Sequence, residues 1–343
     1  MELIFRRSKH FLHSIVTDTN ENESNTPVSS LKVLHQPLIV RNVGIINRIQ
    51  NIRRIKVPSK CSTTLKLLRD NFSTIDVEEY DDGDDRDRDR DRDGEGIKSN
   101  DSNSSNSIEN NSTAARSHNI SIKENMDYLE IPLNSAIWYL QSEKEKSVLI
   151  NPIKYPWDLH YVIQKILQDE VKHVSISPNT SISKSTVIEG PCVIEDDVTI
   201  DDFCKIKGPT YIGKGSFIGM SSLIRNCMLG DKTRIGFNCE IARSYLLGSD
   251  KISQQNIVVD SIIGENVWFG AYAATLNALS TKQKISYEIE KGKSIDTGID
   301  RFGALVGNNC TISTSVIIMP GRHIQADTMI QALWKTYEVS SKS

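Results

Sequence analysis

The chain has 343 residues, 38% of them hydrophobic and 6% aromatic, with 41 basic side chains against 44 acidic ones for a net charge of −3. That balance excludes the basic footprint of a nucleic-acid binder, and no apolar run approaches the ~18 residues that a membrane span takes. The opening residues MELIFRRSKHFLHSIV interrupt their apolar positions with charges and show no small-residue cleavage site, so the expected compartment is the cytoplasm.

In chain order, PLIVRNVGIINRI (37–49) reads as a strand followed by a helical stretch, RRIKVPSK (53–60) as a second strand and CSTTLKLLRDNF (61–72) as a short helix. Residues 1–80 are therefore expected to be a small α/β part. The run DDGDDRDRDRDRDGEG leads into a tract in which fourteen of residues 99–121 are Ser or Asn. Such a composition cannot bury enough apolar surface to offset its ordering entropy, so 81–125 is read as a disordered insert. Residues 126–172 complete the α/β part and end in a linker helix over 156–170. There Trp157, Val162, Ile163, Ile166 and Leu167 share one stripe, and Pro156 stands in the first turn, where its missing N–H costs little. The six Cys form no CxxC pair and have no companion His at zinc-ligand spacing, so no metal is expected.

From residue 174 the period changes. Ile occurs at 176, 182, 188, 194, 200, 206, 212, 218 and 224, nine in succession at intervals of six, which neither a helix nor a simple strand produces. After a one-residue slip the series resumes at Leu229, Ile235, Ile241 and Leu247, continues at Ile263 and Phe269, and returns at Val306, Ile312, Ile318, Ile324 and Ile330. Two residues before these positions stand small side chains, among them Cys192, Cys204, Cys227, Cys239 and Cys310. Residues at i and i−2 of a short strand face the same side, so both rows are expected to stack inside a solenoid. The fold class expected is mainly β: a hexapeptide solenoid of about eight coils over 173–336, of the left-handed parallel β-helix kind. A non-repeating arm over 278–301, with KISYEIEKGK as a hairpin, interrupts it, and 337–343 is a tail.

The stretch DSIIGENVWFGAYAATLN (260–277), the arm, and DRFGALVGNNCTISTSVIIMPGRHI (300–324) resemble the acetyltransferase domain of archaeal bifunctional sugar-1-phosphate nucleotidylyltransferases. KYPWDLHYVIQKIL (154–167) is similar to the segment preceding that domain. The resemblance implies acetyl transfer from acetyl-CoA to a hexosamine 1-phosphate, a His as general base, and a homotrimer with sites between subunits. It places Gln254 at the His position, Ile257 at the Tyr position and Ala242 at the phosphate-binding Lys position. Gly270, Ala271 and Tyr272 stand at the Gly-Ala-Gly turn, Asn277 is kept, and Arg301 replaces a Lys. Gln has no proton that titrates near neutrality and cannot act as that base. Candidates for contact with a sugar phosphate, nucleotide sugar or CoA pyrophosphate are Asn277, Arg301, Arg243, Arg225 and Tyr272. Near residues 1–60 no Gly-rich, Arg-containing loop is present to hold a triphosphate, so the first half is read as a reduced nucleotidylyltransferase-like part. Two main readings stay open: a hexapeptide transferase of nucleotide-sugar metabolism, and a non-catalytic trimeric scaffold or regulatory partner of an intact enzyme of the same pathway. A nucleotide-sugar-binding sensor is a third.

Overall fold

The computed structural model describes residues 2–6, 32–34, 36–49, 52–58, 62–80, 118–121, 128–132, 135–141, 146–290 and 293–332. Most of the expected insert, 81–117 and 122–125, and the tail 337–343 lie outside the described residues. The chain divides into two compact units, Met1–Val171 with Gln283–Asp300, and Lys172–Lys282 with Arg301–Ser343.

In the first unit four parallel strands stand in the order Asp76–Tyr80, Arg54–Pro58, Glu2–Arg6, Tyr128–Pro132. Helices α1 (Leu38–Ile49) and α2 (Ser62–Asn71) accompany them. Sequence reading split 37–49 into strand and helix, whereas all of 38–49 is helical. Leu38, Ile39, Val43 and Ile46 recur at helical spacing and are all fully buried, which overrides the local β-branched character. A second correction concerns His118–Ser121, expected within the insert. These residues form a strand paired antiparallel with Lys146–Pro152, whose other edge takes Ser135–Gln141.

Helix α3 (Pro156–Glu170) buries the predicted stripe of Trp157, Val162, Ile163, Ile166 and Leu167. Its start is capped by Asp158, whose Oδ2 accepts the N–H groups of Lys154 at 3.0 Å and Tyr155 at 2.8 Å. The hairpin Ser286–Glu290 and Lys293–Asp296 belongs to this unit. Its Tyr287 is buried edge-on against Trp157 at 5.4 Å, and Trp157 in turn stacks on Tyr155 at 4.6 Å.

The second unit is a parallel β-helix. Its three sheets contain eight, eight and seven strands. The first face runs from Val174–Ile176 to Arg322–Ile324, the second from Ser181–Ile182 to Met329–Ile330, and the third from Val187–Glu189 to Ile317–Ile318. That is eight coils, the last without its third strand. The isoleucine rows stack as expected: on the first face Ile176, Ile194, Ile212 and Leu229 are successive partners. The next residue in that row is Leu246, not Leu247. Leu246 is fully buried and Leu247 only partly so, because the corner joining third face to first is shortened by one residue in three successive coils, at Asn226, Arg243 and Asp260. Each of these adopts positive φ (54°, 47°, 47°), the left-handed conformation that turns the chain sharply.

The small-residue row is also internal, with Cys192, Cys204, Cys227, Cys239 and Cys310 all buried. The thiols of Cys204, Cys227, Cys239 and Cys310 donate to backbone oxygens, Cys239 Sγ to Ser253 O at 3.1 Å and Cys310 Sγ to Gln325 O at 3.0 Å. Burial pushes these thiols above their ordinary pKa, Cys227 up to about 12, which makes them packing groups rather than nucleophiles.

Asp250 departs from that row. It is fully buried where preceding coils place Ser216 and Thr233. Burial pushes its carboxyl well above the usual range, opposed by N–H bonds from Val267 and Gly248 and reinforced by Glu265. A carboxyl with a raised folded pKa stabilises most below its unfolded value, and that contribution is lost as pH rises through the folded value. Serine at this row accepts the next coil's N–H, as Ser216 does from Thr233 at 3.2 Å. Asp250→Ser is therefore expected to melt several degrees above the parent at pH 8, with the gap closing toward pH 4. A melting series over that range, showing a constant or inverted difference, would refute the assignment.

Candidate functional site

The candidate residues fall on two corners that flank the third face. At the corner from second to third face, Gln254 is exposed and its backbone oxygen accepts Tyr272 N–H of the next coil at 3.3 Å. Asn256 fastens this turn from inside, its Nδ2 donating to Ser253 O at 2.8 Å and Gly270 O at 3.0 Å. Tyr272 stands at φ 61° with its ring exposed, an unusual conformation for an aromatic residue that the stacked coils impose. A Cβ at Gly270 would come within 2.5 Å of Thr314 N, so the glycine of this turn is required by the close approach of the next coil. Ile257, one strand position from the turn, is exposed beside it.

The other corner, from third face to the following first face, gathers Arg225, Arg243 and Asn277. Arg225 donates through Nε and Nη2 to Glu240 Oε1 at 3.1 and 2.6 Å. Arg243 forms a two-pronged pair with Asp260, Nε to Oδ1 at 2.6 Å and Nη2 to Oδ2 at 2.7 Å. Asn277 Nδ2 donates to the same Asp260 Oδ2. Asp260 is 3% exposed, and its backbone oxygen accepts Gly303 N–H at 2.8 Å, while Asn277 O accepts Phe302 N–H at 3.0 Å. The residue at which the chain leaves the solenoid, Asn277, is thus held by the buried Asp260 carboxylate, and those at which it re-enters, Phe302 and Gly303, by the backbone oxygens of Asn277 and Asp260. Arg301, at the return, is exposed.

Three of the sequence candidates, Arg225, Arg243 and Asn277, are therefore brought together, while Gln254 and Tyr272 lie across the third face from them. That face is one three-residue strand wide (Ile257–Val259), about 10 Å at the rise of an extended chain. Sequence reasoning missed the two acids. Arg243, Asp260 and Asn277 are spaced by 17 residues, the length of the shortened coil, and that interval was the available signal. The chemistry is clear: each guanidinium of this corner already has a carboxylate, so the corner presents an internally neutral network rather than an open anion cradle.

The bacterial transferase hexapeptide pattern of six repeats matches residues 191–226. The C-terminal part is 32% identical over 118 residues to the bifunctional protein GlmU of Methanococcus vannielii, covering 34% of this chain and 28% of that one. The bifunctional sugar-1-phosphate nucleotidylyltransferase/acetyltransferase of Sulfurisphaera tokodaii is 33% identical over 99 residues, 29% of this chain and 24% of that one. The putative uncharacterized acetyltransferase YaiX of Escherichia coli K12 is 30% identical over 103 residues, 30% of this chain and 44% of that one. The chain spans less than half the length of these relatives. Among the described residues, no helix is long and apolar enough to cross a membrane.

Proposed function

We propose that this chain is a non-catalytic, homotrimeric relative of the sugar-1-phosphate acetyltransferases, a cytoplasmic scaffold or regulatory partner for an intact enzyme of nucleotide-sugar metabolism. The observation that carries this reading is the joint state of the two corners. On one, the base position is Gln254, with apolar Ile257 where the family has Tyr. On the other, Arg225 and Arg243 are neutralised by Glu240 and Asp260. An amine attacking a thioester must lose a proton, and a glutamine amide neither accepts it nor titrates near neutrality. Core rows intact beside a site without its base are what retention of fold without chemistry leaves.

The transferase reading has its own support, since Asn277 and the arm are kept and Arg301 carries the positive charge of the Lys it replaces. Under it, acetyl-CoA is the co-substrate and a sugar phosphate or nucleotide sugar the acceptor. An acetyl-transfer assay on glucosamine 1-phosphate and galactosamine 1-phosphate separates the two. The expected result is no transfer above the uncatalysed rate, whatever the calorimetric affinity for acetyl-CoA. Turnover in the ordinary enzyme range, about 1 s⁻¹ or faster, would establish the transferase instead.

A further inference from the structure

On the second face, the outward column from coil two to coil seven reads Thr199, Phe217, Arg234, Lys251, Trp268 and Thr311. Two cations therefore stand side by side with an aromatic ring at each end. Lys232, two residues before Arg234, is exposed beside them. Other solenoid cations are neutralised, Lys205 and Lys207 by Glu189, Lys214 by Asp197 and Arg225 by Glu240. Lys232, Arg234 and Lys251 are exposed and pair with no carboxylate among the described residues. The Arg234 guanidinium lies 5.0 Å over the Phe217 ring, and Trp268 Nε1 donates to Ser253 Oγ at 3.2 Å, so both ends of the column are oriented. A guanidinium stacked on a ring keeps its in-plane N–H donors available to a carboxylate.

Two positions further along each strand come Gly219, Gly236, Ser253 and Gly270, and beyond them Met220 and Phe237 stand exposed as a rim. The surface is thus a shallow trough whose floor carries no side chain larger than that of serine. Phe217 and Trp268 are three coils apart, about 14 Å at the ~4.8 Å spacing of neighbouring strands. An extended peptide rises ~3.3 Å per residue, so its first and fifth residues are about 13 Å apart and its third faces the same side. Laid along the solenoid, such a peptide sets residues one and five on the two rings and residue three between Arg234 and Lys251. We propose that this trough binds an extended segment of a protein partner, of the pattern apolar–x–Asp/Glu–x–apolar. The assignment rests on the scaffold reading of the preceding section and gives the recognised segment its chemistry. A second copy offering the same face would set cation against cation. A nucleic acid fits less well, because the cations span two coils only and Asp197, Asp202 and Glu265 stand exposed on the bordering corners, against a continuous phosphate backbone.

Fluorescence anisotropy on the full chain at low salt, with the labelled peptide Gly-Leu-Ser-Glu-Ser-Phe-Gly, should give a dissociation constant on the order of 10⁻⁵ to 10⁻⁴ M. The same peptide with glutamine in place of its glutamate should bind at least about tenfold more weakly, the loss of one charge-assisted contact. That comparison uses the wild-type protein, so it holds whether or not a variant folds. The double variant Arg234→Gln, Lys251→Gln should lose affinity to a similar extent with an unchanged melting curve. Lys205→Gln with Lys207→Gln removes two cations from the third face and should bind as the wild type does. No binding of the glutamate peptide, equal binding of the two peptides, an equal loss in the third-face variant, or tighter binding of a labelled oligothymidylate would each overturn the proposal. Acetyl transfer in the assay above would end the scaffold reading and leave these affinities as measured, whereas equal affinities for the two peptides would end the trough and leave the transfer result as it stands.

Discussion

Replacing Asp260 by Asn is expected to destabilise the solenoid by about 2–4 kcal/mol. The substitution keeps the size of the side chain and its tolerance of positive φ, but it removes the charge on which Arg243 Nε, Arg243 Nη2 and Asn277 Nδ2 converge. Breaking a buried pair by removing one partner costs about 3–5 kcal/mol because an uncompensated charge is left behind. Arg243 is 27% exposed and would recover part of its hydration, which lowers the figure. Denaturant unfolding measures the loss directly. Hydrogen exchange should locate it, with faster exchange at the Phe302 and Gly303 amides, whose acceptors are Asn277 O and Asp260 O. The double variant Arg243→Gln, Asp260→Asn should be less damaged than the sum of its parts, by at least about 1 kcal/mol for groups in direct contact. Additive losses, or a single-variant loss below about 0.5 kcal/mol, would show that the carboxylate does not fasten the corner formed by Arg243, Asp260 and Asn277.

The solenoid was legible because its core demands only one aliphatic and one small residue per hexad, and nine isoleucines at a constant interval leave no other period to fit. The corners were harder to read. A coil shortened by one residue shifts every later row, and the slip at Asn226 was visible only as a single offset. Its repetition at Arg243 and Asp260 was not, so Leu247 was placed where Leu246 stacks. Asp250 escaped for the opposite reason, because its environment is made by the coils on either side and not by its sequence neighbours. The same limit applied to the candidate site. Arg225, Arg243 and Asn277 could be named one by one, yet their acids Glu240 and Asp260 come from neighbouring coils: the coil length of 17 pairs Arg243 with Asp260, while Glu240 lies 15 positions from Arg225, on a diagonal of the ladder. Trp157 and Tyr287 meet across 130 positions of chain, a distance over which no local pattern reaches.

Gln254→His together with Ile257→Tyr should create the acetyl transfer that the parent is expected to lack. Both positions already stand where a base and a neighbour would be useful: Gln254 is exposed at a turn held by Asn256, and Ile257 is exposed on the adjoining strand. Neither new side chain has to displace a core residue, so the fold should tolerate both. Histidine titrates near pH 6.5, and its neutral imidazole would accept the proton that the attacking amine releases. A positioned general base contributes roughly 10²–10⁴-fold, so transfer should rise above the uncatalysed rate and fall off with a single pKa near 6 to 7 on the acid side. Gln254→His alone should supply part of the gain and Ile257→Tyr alone little, since only the first provides a base. If the double variant is folded, binds acetyl-CoA and still transfers nothing, the loss of chemistry extends beyond the missing base. Releasing Arg225 by Glu240→Gln in the same background then tests the other corner, because that single change frees a guanidinium on the far side of the third face. Turnover that appears only with this third change would mean that the filled anion corner, as well as the absent base, stands in the way of transfer.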